Sequence, residues 1–438
     1  MFAPLGKLSA RSSRSHRWFV GLVGFCVLAA LAAPAAHADS VRAPRAFFGM
    51  HDGSLRAYDT LRYGSLRLWD AGVTWPDIER SPGVYDWSRL DTLVAGAQEH
   101  GVEVTLVLAM TPSFYGPAPT LPPTDLAAYG RFVRAVMTRY RDVDGRRGIA
   151  AYEAWNEGNV PTFWTGTPAQ LAQLTRIVWR TRHQVDPGAT LVGPSFAVRL
   201  AGQRRWLRDF TSQRVGGRPV WRYYDATGLS LYPKARYGDR TGDPEDAMAL
   251  LVKARRQLAA AGAPASQPVW GTEVNYGVTS DASAATPISQ RRQVANVIRT
   301  YLLGAAAGLQ RMFWYRYDWG PVPGGTLGNT LLATPGSYGE ITAAGRAVVT
   351  AEGWMKGRLV GRHGHAPCHR DAKGTFTCVV KHAGGVRTIL WNPRHRVLVP
   401  LPRGAVREQS ARGTTSRIAA RQSTIRVSYL PVMVSSPR

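Results

Sequence analysis

Cysteine is nearly absent from this chain: three occur in 438 residues. A disulfide-dense scaffold is therefore excluded, and no C-x-x-C pair is available to seed a zinc site. Acid is scarce as well, with 29 Asp and Glu against 55 Lys and Arg and a formal charge of +26. The basic residues are scattered and no recognition motif organises them, so nucleic acid is not an expected partner. The surplus reads either as compositional habit or as adhesion to a polyanion or acidic surface. Beyond residue 33 no apolar run is long enough to span a bilayer. No glycine-rich phosphate loop follows the first predicted strand, which counts against a doubly wound dinucleotide fold.

The one long apolar run lies at the N-terminus. Lys7, Arg11, Arg14 and Arg17 precede the stretch Trp18 to Ala33, and Ala36-His-Ala38 has the form of a cleavage site. Residues 1–38 thus read as a secretory signal with a mature start near Asp39. A secreted or cell-wall-associated protein is expected, free of the membrane after cleavage. The leader takes four of the surplus charges with it and leaves about +22. Cys26 leaves too. The remaining pair, Cys368 and Cys378, reads as a local disulfide in an exported chain. His363, His365 and His369 cluster beside Cys368, which keeps zinc as the lesser alternative. No metal or cofactor is expected.

What is present, at 45% hydrophobic residues, can bury a large core. Residues 39–357 alternate short apolar runs with helical patterns. Strands are predicted at Phe47–His51, Ser65–Trp69, Val102–Ala109, Ile149–Glu157, Thr190–Phe196, Ala226–Tyr232, Pro268–Asn275 and Leu309–Tyr315. Helices are predicted at Trp87–His100, closed by Gly101, and at Asp125–Arg141, capped by Thr124. Others are predicted at Pro168–Gln184, Arg204–Ser212, Asp243–Ala261, Ser289–Ala307 and Thr342–Met355. Eight strands interleaved with these helices predict a (β/α)8 TIM barrel in the α/β class. From residue 358 to 438 the runs are short, alternating and β-rich, at Thr375–Val380, Val386–Trp391, Val397–Val399 and Thr424–Val434. They predict a small C-terminal antiparallel β-sandwich. The polar, basic stretch Arg403–Arg421 is expected to be loop.

Two of the strands end on a carboxylate. The run Ile149-Ala-Ala-Tyr-Glu-Ala-Trp-Asn-Glu157 ends on Glu157, and Pro268-Val-Trp-Gly-Thr-Glu-Val-Asn275 carries Glu273. A glutamate at the mouth of a buried strand is costly unless it has a task. Barrel sites lie at the C-terminal ends of strands, and two carboxylates there can serve as proton donor and nucleophile in glycoside hydrolysis. Asn156 can donate to a sugar hydroxyl beside the reacting carbon. Glu153, on the same side of the strand as Glu157, is a deeper partner. His51, at the end of strand 1, reads as a satisfied core histidine or a site residue.

These segments resemble the clan A glycoside hydrolases, with the acid/base Glu on strand 4 and the nucleophile Glu on strand 7. Trp155-Asn-Glu-Gly-Asn159, followed by Phe163-Trp164, is most similar to family 39, which contains β-xylosidases and α-iduronidases. Gly158 stands where that family usually has proline, and Ser230-Leu-Tyr232 keeps the tyrosine but not the histidine of the clan's His-x-Tyr. The resemblance implies that Glu157 is the acid/base and Glu273 the nucleophile, and that Arg67 on strand 2 keeps Glu273 ionised. Tyr232 is placed to hydrogen-bond the nucleophile, or simply to pack. Trp314 is a possible floor of the sugar site. Trp164, Phe114, Tyr115 and Trp319 lie on loops at that face as aromatic platforms, with packing as the alternative for each. The expected function is retaining hydrolysis of a polysaccharide or oligosaccharide, with carbohydrate, including anionic or cell-wall polysaccharide, as partner. A transglycosylase would use the same residues. A non-catalytic carbohydrate or polyanion binder is disfavoured because both glutamates are present.

Overall fold

The computed structural model describes residues 40–54, 57–234, 242–276, 288–317, 331–334, 340–361 and 366–437. The N-terminal segment expected to be a leader, Trp319, His363 and His365 lie outside the described residues. Eight strands close a parallel barrel: β1 (Phe48–Met50), β2 (Ser65–Leu68), β3 (Glu103–Val107), β4 (Ala151–Glu153), β5 (Thr190–Ala197), β6 (Ala226–Ser230), β7 (Val269–Val274) and β8 (Arg311–Trp314). Each pairs with the next, and β8 pairs with β1. The strands read as continuous apolar runs because helices cover the outside and side chains fill the inside. Near the N-terminal end of the barrel Trp270 and Phe313 share the interior with the small residues Ala151 and Ala226. Gly49 completes that packing, since a Cβ there would lie 2.5 Å from the Phe313 ring. The barrel is thus plugged below and open only at the other end.

The surrounding helices are α1 (Tyr58–Leu61), α2 (Ser88–Glu99), α3 (Leu126–Tyr140), α4 (Pro168–Val185), α5 (Ala201–Thr211), α6 (Pro244–Ala260), α7 (Gln290–Ala306) and α8 (Ala343–Met355). Their starts follow local chemistry. Thr167 and Asp243 form capping boxes ahead of Pro168 and Pro244. The cap of α3 is Asp125, which accepts from Ala127 N at 2.8 Å, and not Thr124, whose hydroxyl donates to Tyr115 O. The first unit departs most from expectation. Its helix is a single turn, and a further turn (Trp75–Ile78) and a small hairpin (Glu79–Ser81 with Val84–Tyr85) precede α2.

The C-terminal region is a two-layer β structure. Its strands are β9 (Arg358–Val360), β10 (Cys368–Arg370), β11 (Phe376–His382), β12 (Gly385–Trp391), β13 (Val397–Pro400), β14 (Arg407–Ser410), β15 (Thr415–Arg417), β16 (Thr424–Val427) and β17 (Val432–Ser436). The large sheet runs β9-β11-β12-β17-β14-β15, with β10 on β11 and a short strand, Ser40–Val41, on the free side of β9. The antiparallel pair β13–β16 forms the second layer, and Leu390, Ile418, Ile425, Val427 and Val434 fill the space between. Arg403–Arg421 is therefore not all loop: it holds β14 and β15, which pair through backbone bonds and carry too few apolar residues to be read as strands. Thr424–Val434 is not one run but parts of two strands in different layers. The disulfide Cys368–Cys378 joins β10 to β11 at directly paired positions. The other face of the large sheet rests on the barrel. There the Trp391 indole donates to Glu245 of α6 at 2.8 Å, and the Trp354 indole of α8 donates to Gln409 at 2.7 Å.

Candidate active site

At the open end of the barrel a cavity of about 320 Å³ is walled by Glu157, Glu273, Asn156, Tyr232, Trp69 and Arg199 among others. Glu273 lies on β7 itself. Glu157 does not lie on β4, which stops at Glu153. The chain then crosses toward β5, with Glu157 in the left-handed region at φ 36°. Ser195 of β5 sets this bend: its hydroxyl accepts from Glu157 N at 2.9 Å, and its carbonyl accepts from Gly158 N at 2.9 Å. A proline at 158 would lose the second bond, which gives a local reason for the glycine. Asn159 extends the same clasp. Its amide donates to Ala197 O and Gln203 O at 2.7 and 2.9 Å and accepts from Ala197 N at 2.9 Å.

Arg67 is the centre of the polar network. It comes from β2 and is 1% exposed. Nε and Nη2 donate to the two oxygens of Glu153, each at 2.7 Å. Nη1 donates to Glu273 Oε1 at 2.8 Å, and Nη2 also reaches Asn156 Oδ1 at 2.8 Å. One buried cation thus fixes a buried carboxylate below it, the carboxylate on β7 and the amide next to Glu157. The second Glu273 oxygen accepts from the Tyr232 hydroxyl at 2.7 Å. Asn156 Nδ2 is buried against the cavity and has no protein acceptor, so its donor is available to a ligand.

Burial pushes both cavity carboxyls above the ordinary carboxylate value. For Glu157 the Ser230 hydroxyl and the charges of Arg67 and Arg199 pull the other way. For Glu273, pushed to about 8, Arg67 opposes burial and the nearby Glu157 adds to it. The two titrate as a pair. Glu273 receives a guanidinium N–H and a phenol O–H directly, both of which favour the anion. Glu157 receives neither, so these two bonds favour the anion at Glu273 more than at Glu157.

The remaining residues divide. His51 is buried, its Nε2 lies 3.0 Å from Thr272 O, and burial together with Arg67 drops its pKa to about 3, leaving a neutral ring below the cavity wall. Trp314 is 1% exposed and packs near Tyr276. Its neighbour Tyr315 reaches the cavity instead and donates to Asp70 at 2.6 Å. Trp164 is buried edge-on against Trp155, and Phe163, one position earlier, lines the cavity with Trp69 at 5.3 Å edge-to-face. Tyr115 stacks on Trp75 and donates to Glu79 at 2.9 Å, with Phe114 beside it; neither borders this cavity. Sequence reasoning missed Trp69, Tyr315 and Arg199. The signal for the first two was their place one residue beyond the ends of β2 and β8. Nothing in the sequence marked Arg199 among so many arginines. Among the described residues no cluster of side chains could hold a metal ion.

No family model and no curated protein sequence matches this chain. Solved structures do. The chain is similar to a family 39 glycoside hydrolase from Bacteroides cellulosilyticus WH2, with 16% identity, TM-score 0.65 and coverage of 88% of this chain and 78% of that one. It is similar to a family 39 β-xylosidase from Caulobacter crescentus at 16% identity and TM-score 0.61 over 92% and 98% of the two chains. A family 30 endoxylanase from Clostridium papyrosolvens C71 matches at 12% identity and TM-score 0.56, again over 92% and 98%. These similarities establish a shared architecture, the barrel together with the appended β-domain, as found in family 39 and family 30 glycoside hydrolase structures.

Proposed function

We propose that the protein is a retaining glycoside hydrolase in which Glu157 is the acid/base and Glu273 the nucleophile. The observation that carries this is the asymmetry of the pair: Glu273 is bonded to Arg67 and Tyr232 while Glu157 faces the same cavity with no cation bonded to it. Glu157 protonates the leaving oxygen as Glu273 attacks the anomeric carbon. A glycosyl ester forms on Glu273, and the aglycone leaves with the proton. Glu157, now a base, removes a proton from water, which displaces Glu273 and restores both groups. The free N–H of Asn156 donates to the hydroxyl beside the reacting carbon. Trp69 and Phe163 offer apolar faces to sugar rings. With the leader as its address, the enzyme acts outside the cell on a carbohydrate polymer or oligomer.

The test uses aryl glycosides of differing leaving-group pKa. Glu273→Ala should abolish turnover of all of them. Glu157→Ala should slow poor leaving groups strongly and an activated dinitrophenyl glycoside little, because the latter needs no proton. Release of the inverted anomer first, followed by NMR, or equal loss on both leaving-group classes, would reject the assignment.

A further inference from the structure

A second and larger cavity, about 740 Å³, lies between α8 and the large sheet of the β-domain. Residues 366–437 hold twelve Lys and Arg against two acids, Asp371 and Glu408, and the strand register concentrates three of these cations in one line. Arg387 of β12 pairs with Ser435 of β17, Ser435 pairs with Arg407 of β14, and Arg407 pairs with Arg417 of β15. Directly opposed residues project from the same face of a sheet. Adjacent strands are about 4.8 Å apart, so the three guanidinium stems span about 14 Å across the sheet. Arg387 and Arg407 line the cavity with Ser435 and His382, and Arg417 continues the row beyond it.

Like charges set directly opposite one another destabilise a sheet, yet Arg407 faces Arg417. Among the described residues none of the three forms an ion pair, although Glu408 is in the wall; Arg387 donates only to Lys356 O at 2.8 Å. The α8 wall presents Val349, 46% exposed, beside Thr350, and Val406, 43% exposed, adds an apolar surface next to Arg407 on the sheet side. A line of forked cations beside apolar surface fits a chain that repeats carboxylates on rings with C–H faces. The groove's one large aromatic ring, Trp354, is buried, so stacked bases find no broad platform there. The groove is concave and carries no amphipathic helix of the kind that enters a bilayer surface.

We propose that the Arg387–Arg407–Arg417 row and the groove beside it form a non-catalytic site for an anionic polysaccharide, which holds the enzyme on its polymer while the barrel cavity acts. The choice of polysaccharide as occupant rests on the glycosidase reading; the site itself does not.

The experiment uses the full mature chain and polygalacturonate as the uronate probe, with binding measured at low and physiological salt. The double variant Arg407→Gln/Arg417→Gln should bind polygalacturonate about tenfold more weakly at low salt, as two charge-assisted contacts are lost, and Arg387→Lys should bind less well while keeping its charge. Hydrolysis of a small aryl glycoside should be unchanged in both. The double variant should melt no lower than the wild type, since it removes an opposed like-charge pair. Unchanged affinity in the double variant overturns the proposal. So does an equal loss on replacing two exposed arginines elsewhere, such as Arg131 and Arg205, or tighter retention of duplex DNA or of phosphatidylserine vesicles than of polygalacturonate. If the aryl glycosides are not hydrolysed at all while polygalacturonate binding depends on the row, the glycosidase reading fails and the site stands.

Discussion

Replacing Arg67 by Met keeps the length of the side chain and removes its charge and all its donors. Glu153 has no exposed surface and holds both of its oxygens against Arg67 at 2.7 Å. Breaking a buried pair from one side costs about 3–5 kcal/mol, because the surviving charge is left desolvated. Urea unfolding followed by tryptophan fluorescence at pH 8 measures it. Activity falls for a separate reason. Glu273 loses the guanidinium at 2.8 Å that favours its anion, so a smaller fraction of the nucleophile is ionised at neutral pH. The double variant Arg67→Met/Glu153→Leu separates the two effects: it should regain about half or more of the lost stability and none of the activity. A single variant as stable as the wild type at pH 8, or a double variant that recovers turnover, refutes this reasoning.

Arg199→Gln should move the basic limb of the kcat/KM profile upward, since the Arg199 charge favours the Glu157 anion and its loss keeps the acid protonated to higher pH; a limb that stays put or falls contradicts it. Burial lifts the Glu352 carboxyl to about 7, with Arg45 and Lys356 opposing. That raised acid takes stability away as pH climbs from about 4.5 to 7, so Glu352→Gln should gain about 1–3 kcal/mol at pH 8 and nothing at pH 4 in thermal or urea unfolding. Replacing Cys368 and Cys378 together by Ala should cost about 2–3 kcal/mol, confined to the β-domain, with kcat/KM on an aryl glycoside unchanged.

The barrel was legible because its buried strands are uninterrupted apolar runs and its helices begin on Thr-Pro or Asp-Pro signals, as at Thr167-Pro168 and Asp243-Pro244. Glu157, Glu273, Arg67 and Tyr232 were found because strand ends face the open side of a barrel and the four converge there. The aromatic residues were less legible. At Phe163-Trp164 and Trp314-Tyr315 the sequence pointed to the tryptophan each time, whereas the neighbour reaches the cavity. Phe163 follows irregular backbone, where alternation no longer says which side chain turns inward; Tyr315 follows β8 directly on the side of the interior residue Phe313, an alternation hidden by the uninterrupted apolar run. The strands β14 and β15 were hidden for a different reason: Arg407, Glu408, Gln409, Ser416 and Arg417 pair through their backbone, and hydropathy carries no record of that.

The pairing of Ser40–Val41 with β9 has a topological consequence. The side chains of Ser40 and Arg358 are hydrogen-bonded at 2.7 Å although 318 positions separate them in sequence. The sheet therefore starts, is interrupted by the entire barrel, and resumes, so that the barrel is an insertion between the first and second strands of one β-sheet. A cut near residue 357 does not yield two finished pieces. The barrel fragment would carry a stray strand, and the β fragment would present a bare edge on β9 to the next molecule. The first and last described strands share that sheet, about four strand spacings or roughly 19 Å apart. A linker of about six residues can bridge that distance, so the chain is a candidate for circular permutation with new ends opened at an exposed turn such as Gly216-Gly217.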